Sequence, residues 1–168
     1  MKKFVLAVCL TALIIPSAAL AQKVTVLKQD KSADVTKLKT YEWTPGQKAL
    51  DPAWDKAIIA AVEKELAAKG LKPGKPGDVL VAYHAVQRED LDLSKFDPKA
   101  AASGAQTAQV VKMGTLAVEL RNPTTREVIW RVASEGAIKE SAAADRDALV
   151  AKMVAALFEK YPAAPAKK

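Results

Sequence analysis

The stretch over residues 78–86 constrains the fold more than any other part of the chain. Read alternately, Val79, Val81, Tyr83 and Ala85 form one face and Leu80, Ala82, His84 and Val86 the other, and both faces are largely apolar. Such a strand is stable only when both its sides are covered. It therefore belongs at the centre of a sheet, with helices on one side and a loop or a partner on the other.

The neighbouring segments supply that sheet. Residues 114–121 alternate with Leu116, Val118 and Leu120 inward, Asn122-Pro123-Thr124-Thr125 turns the chain, and residues 127–133 return with Val128, Trp130 and Val132, which is a β-hairpin pattern. Thr40-Tyr41-Glu42-Trp43 has the period of a half-buried strand closed by Pro45-Gly46, and residues 23–28 alternate around Val24, Val26 and Leu27 as a short first strand. A helix is predicted over residues 52–69, with Asp51 as N-cap, Pro52 at the first helical position and Gly70 just past the end. Trp54, Ile58, Val62 and Leu66 make its apolar stripe. A second helix is predicted over residues 145–161, stopped by Pro162, with a stripe of Leu149 or Val150, Met153, Leu157 and Tyr161.

The order β-α-β-β-β-α groups strands in runs. It implies an α+β two-layer sandwich, a largely antiparallel sheet of about four strands with two helices on one face. Residues 71–77, with two Pro-Gly steps, read as a turn or loop. Residues 87–111 read as a long mobile loop, small and polar in its middle, whose Leu91, Leu93 and Phe96 pin its first part to the body.

Residues 1–21 have the three parts of an export signal: Lys2 and Lys3, an apolar stretch from Phe4 to Ile15, and Ala19-Leu20-Ala21 as a small-x-small cleavage site. The apolar stretch falls short of the roughly 20 residues that span a membrane. The expected organisation is a cleaved signal over residues 1–21, a single domain over 22–162 and a disordered tail over 163–168, in the periplasm or secreted, with no integral membrane segment after cleavage. Cys9, the only cysteine, lies inside the apolar stretch and is poorly placed to carry a lipid. Losing the two lysines of the signal lowers the formal charge from +7 to +5 and leaves no cysteine at all.

A chain with no cysteine and one histidine cannot build a disulfide framework, a thiol nucleophile, a zinc finger or a multi-histidine metal centre. None of the five serines after the signal stands in a Gly-x-Ser-x-Gly elbow or a Ser-x-x-Lys motif. Asp90-Leu91-Asp92-Leu93-Ser94 offers the first three ligands of a calcium loop, but Lys95 occupies the position that needs Gly and Ala101 the one that needs Glu. The basic excess is dispersed, with neither a basic helix nor an aromatic stacking platform, so nucleic acid is not an expected partner. Trp43, Trp54 and Trp130 fall on apolar stripes and read as core anchors.

Tyr41-Glu42-Trp43-Thr44-Pro45, Ala68-Lys69-Gly70-Leu71, Asp78-Val79-Leu80-Val81-Ala82-Tyr83-His84, Gly114-Thr115-Leu116-Ala117-Val118-Glu119-Leu120, Val128-Ile129-Trp130-Arg131 and Phe158-Glu159-Lys160-Tyr161-Pro162 stand in this order along nearly the whole mature chain. In that order and spacing they resemble the bacterial family of domain of unknown function 4136. The resemblance implies an exported envelope protein of small α+β fold, and brings no established activity with it. Many members of that family are lipoproteins, from which this chain departs by ending its signal at an Ala-x-Ala site.

The function expected is that of a non-catalytic periplasmic or secreted domain, without cofactor or metal, acting through surface contacts with an envelope protein, lipid or glycan. The alternative is a small-ligand binder or hydrolase whose pocket lies between the sheet and the 87–111 loop. Tyr83, His84 and Arg131 are the expected contacts for a ligand or partner. His84 alone reads as structural, because a reactive site needs several convergent groups.

Overall fold

A computed structural model of the protein describes residues 23–94, 96–104, 108–138 and 143–162. The expected signal over residues 1–21 and tail over 163–168 lie outside the described residues. The elements are β1 (Lys23–Gln29), β2 (Thr40–Trp43), α1 (Pro52–Ala68), β3 (Lys72–Pro73), β4 (Val79–Asp92), α2 (Pro98–Ala102), β5 (Gln109–Arg121), β6 (Val128–Ala137) and α3 (Ala143–Phe158), with a short 3-10 turn at Val35–Lys37. They form an α+β domain around one mixed sheet of order β1-β6-β5-β4-β2-β3.

The sheet has six strands rather than about four. The β4-β5-β6-β1 part is antiparallel, whereas β2 runs parallel to both β4 and β3. The parallel pairing of β2 with β4 requires a crossover, and α1 provides it. The 71–77 segment, expected to be wholly loop, contributes β3 beside β2 through the pairs Thr40 with Lys72 and Tyr41 with Pro73.

The largest departure concerns residues 87–111. Among the described residues they are mostly strand and helix and not loop: β4 continues to Asp92 and β5 begins at Gln109, with α2 between them, and the two strands remain paired from Leu80–Arg121 out to Asp92–Gln109. The hidden strand lacks the usual signal because neither face of this arm is buried, so no apolar period is needed to hold it. Main-chain ladder bonds suffice once the inner part of the hairpin has set the register. Leu91, Leu93 and Phe96 do not pin the arm to the body, for all three are exposed.

α1 and α3 lie side by side on one face of the sheet. The Asp51 carboxylate accepts from the Ala53 N–H at 2.7 Å to cap α1. The other end closes when Gly70, at φ 86°, lets its N–H reach the Ala67 carbonyl and the Leu71 N–H the Leu66 carbonyl. Ile58, Val62 and Leu66 of α1 and Val150, Val154, Leu157 and Phe158 of α3 are buried against Val79, Val81, Tyr83, Val118, Leu120, Trp130 and Val132 of the sheet. Trp130 is fully buried, with its ring centroid 5.7 Å from that of Phe158 and 5.4 Å from that of Tyr161. Trp43 and Trp54 are only half-buried.

Candidate functional site

Two features stand out, one on each face of the sheet. On the face away from the helices, Glu119 of β5 is 0% exposed, although a glutamate is almost never buried unpaired. Its register places Ala82 on one side and Arg131 on the other. Arg131 Nε donates to Glu119 Oε2 at 2.6 Å and Arg121 Nε to Oε1 at 2.6 Å, and the Nη2 of each arginine also contacts the same oxygen. Arg121 reaches it because residues two apart on a strand share a face.

His84 completes the cluster. Past β2 the chain runs on beside β4, so that the Gln47 N–H donates to His84 Nδ1 at 3.3 Å and the Ala85 N–H to the Gln47 carbonyl at 2.8 Å. With Nδ1 accepting, Nε2 carries the ring hydrogen and donates to Glu119 Oε1 at 3.1 Å. Burial pushes the Glu119 carboxyl up, but hydrogen bonds from His84, Arg131 and Arg121 outweigh it and hold the carboxyl below its ordinary value. The cluster thus contains a fixed anion and two permanent cations.

On the helix face, a cleft of about 380 Å³ opens between the sheet and the ends of α1 and α3 nearest the arm. Gly114 and Gly136 are direct cross-strand partners, and Gln87 lies opposite Gly114 in β4. Ala85 lies one step inward on the same face. Gly114 and Gly136 bring no side chain to the sheet floor and Ala85 only a methyl, and the side chain of Ile138 lies over Gly114. Trp54, Ile58, Val150 and Met153 form the helix walls, and Asp51, Gln87 and Lys112 bring polar groups to an otherwise apolar lining. Leu50, also lining the cleft, is 91% exposed.

Of the expected contact residues, the structure brings together His84 and Arg131, both on Glu119. Tyr83 is separated from them. It points to the helix face, is buried, and packs edge-on to Trp43 with ring centroids 6.2 Å apart. Of the 87–111 segment, Gln87 alone among the described residues lines the cleft, which lies between the sheet and the helices. Glu119 and Arg121 were not singled out by sequence, where both read as outward polar positions of an alternating strand. A carboxylate and a guanidinium two apart on one strand, with an arginine on the returning strand, is the signal that marks them. Asp90 and Asp92 lie in the extended strand of the arm.

A helix-backed mixed sheet with an apolar cleft on the covered face and a charged cluster on the other defines a two-layer α+β domain. This chain belongs to the family described as Domain of unknown function (DUF4136), whose family model matches residues 25–163. Among solved structures, the fold is shared with a PDZ domain protein from Parabacteroides distasonis at 15% identity and a TM-score of 0.52, over 84% of this chain and 36% of that one. This chain therefore spans about a third of that protein's length. A PelC dodecamer from Paraburkholderia phytofirmans is similar at 10% identity and a TM-score of 0.46, over 81% of this chain and 97% of that one. No curated protein matches. Among the described residues, no helix is long and apolar enough to cross a membrane.

Proposed function

We propose that the protein is an exported, non-catalytic binding domain of the bacterial envelope that holds a small apolar ligand, such as an alkyl chain, in the cleft between the sheet and the helices. The observation that carries this reading is the mostly apolar cleft of about 380 Å³ between the sheet and the two helices, lined by Gly114, Gly136, Ile138, Trp54 and Met153. That volume falls within the range of about 300–1,000 Å³ usual for small-molecule sites. Its walls are mostly apolar with a few polar groups, the composition that retains a hydrocarbon and orients a polar head. Export rests on the signal pattern of residues 1–21.

A chain-length series of alkyl probes tests the binding. Each buried methylene contributes about 0.8 kcal/mol, so two added carbons strengthen binding about fifteenfold until the cleft is full. Trp54 lines the cleft and reports occupancy by its fluorescence. Ala85→Phe fills the floor and is expected to abolish the response. A series in which length has no effect, or an Ala85→Phe protein that binds as the parent does, overturns the reading. Amino-terminal sequencing of the protein released by osmotic shock is expected to begin at Gln22.

A second reading rests on the arm. Leu91 and Val110 are register partners there, 58% and 65% exposed, and Phe96 is exposed close by. An apolar pair on a protruding hairpin suits docking to an envelope protein. Leu91→Lys with Val110→Lys is expected to leave the melting temperature unchanged and to remove crosslinks to that partner; unchanged crosslinks exclude the arm.

A further inference from the structure

The Glu119 cluster lies on the opposite face of the sheet from the cleft and has more positive charge than its carboxylate needs. One arginine is enough to neutralise a buried carboxylate, and Glu119 has two. Each arginine meets Glu119 through Nε and Nη2, both directed at a single oxygen. The Nη1 of each guanidinium takes no part in these contacts with Glu119. The side chains of Arg121 and Arg131 are 30% and 36% exposed, so both are open to solvent in part.

Several other charges on this face have partners of their own. Glu42 meets Lys75 at 3.9 Å. Arg88 pairs with Glu135 and with Asp90, and Glu135 stands four residues along β6 from Arg131, about 13 Å away at the rise of a strand and beyond the Debye length at physiological salt. Lys28 is the register partner of Arg131, and Asp30 lies near it. Two guanidiniums against one carboxylate leave the cluster with one net positive charge. Around it the face is low, because Ala82, Ala117 and Ala133 occupy neighbouring register positions.

We infer that Arg121 and Arg131, held in place by Glu119, form a binding site for a phosphate group. A guanidinium offers parallel N–H donors in a rigid fork that matches a tetrahedral oxyanion. Free arginine side chains lose considerable rotamer freedom when they grip a ligand; these two are already immobilised by the buried carboxylate. The same phosphate chemistry occurs in soluble phosphate esters and in the headgroups of anionic lipids, and the two sources are separable by experiment.

Inorganic phosphate is titrated into the 15N-labelled full chain while the Nε–Hε signals of Arg121 and Arg131 are followed. Both are expected to shift together and saturate with a Kd in the millimolar range or tighter. Arg131→Gln is expected to weaken binding at least tenfold, and Arg131→Lys, which keeps the charge and loses the fork, to weaken it as well. Vesicles of phosphatidylglycerol, with phosphatidylcholine as control, form the second arm: co-sedimentation that Arg131→Gln removes assigns the phosphate to a lipid headgroup, and saturation by phosphate alone assigns it to a soluble ester. The wild-type shifts do not depend on any variant folding. Shifts that rise linearly without saturating, with neither vesicle retained, overturn the inference, as does saturation that persists unchanged in a folded Arg131→Gln protein.

Discussion

Glu119 and Arg131 stand directly opposite each other on β5 and β6, and this register pair is also an ion pair, with Arg131 Nε donating to Glu119 Oε2 at 2.6 Å. Arg121 and His84 share the same carboxylate, so its partners are not equivalent in their loss. Glu119→Ala leaves two guanidiniums side by side without their anion and is expected to cost about 3 kcal/mol, partly relieved because both reach water. Arg131→Ala leaves Glu119 still bonded to Arg121 and His84 and is expected to cost about 1 kcal/mol. Urea unfolding of the two variants measures the difference, and equal losses contradict this sharing.

The same carboxylate sets part of the acid limit of stability. Its folded pKa is below the ordinary value, so the unfolded chain takes up the proton first. The stability it contributes is complete above the ordinary glutamate value of about 4.3 and is lost as pH falls through the lower folded value. Glu119→Gln is expected to flatten the dependence of unfolding free energy on pH below that point. Some slope persists, because Asp30, Asp34 and Asp78 are also held low, the last by the main-chain N–H groups of Lys39 and Thr40 at 2.9 Å each. An identical acid limb in parent and variant contradicts the role of Glu119.

Two glycines are expected to differ sharply. A Cβ at Gly46 meets the Tyr83 carbonyl oxygen at 2.0 Å, which is backbone and has nowhere to go, so Gly46→Ala is expected to destabilise by about 2 kcal/mol or more. A Cβ at Gly114 meets Ile138 Cδ1 at 2.6 Å, the movable end of a side chain. Gly114→Ala is therefore expected to stay within about 1 kcal/mol of the parent, helped by the stiffer backbone of alanine, while narrowing the cleft and weakening alkyl binding. Thermal melts of both variants decide this.

The arm is expected to open locally. Among the described residues the last β5–β6 contact is the Ile138 N–H donating to the Lys112 carbonyl at 2.8 Å, whereas β4–β5 pairing runs on to Asp92–Gln109. Amide exchange should be fast over residues 88–92 and 109–111 and slowest over residues 79–85 and 116–120, where strands flank both sides and the core is buried. Uniform protection along β4 contradicts this.

How much was legible depended on where burial left its mark. The caps of α1 at Asp51 and Gly70 and the apolar stripe between them are local, and they appear as read. The hairpin of residues 114–133 likewise declared itself through Leu116, Val118, Leu120, Trp130 and Val132, all of which are buried. The arm did not, since Gln87-Arg88-Glu89-Asp90 buries nothing and so shows no period. His84 and Arg131 were marked separately, yet their meeting on Glu119 depends on register, which alternation leaves open by two residues at a time.

By itself the sequence determined the α+β class, the central place of residues 79–85, the two long helices and the family. Those follow from apolar periodicity and capping chemistry, which act over a few residues. Only the tertiary structure decided the parallel seat of β2, the strand character of the arm, the cleft lined by Gly114, Gly136 and Ile138, and the convergence of His84, Arg121 and Arg131 on Glu119. Each of these depends on which main chain lies beside which and in what register, a choice made by the packing of the whole sheet against α1 and α3.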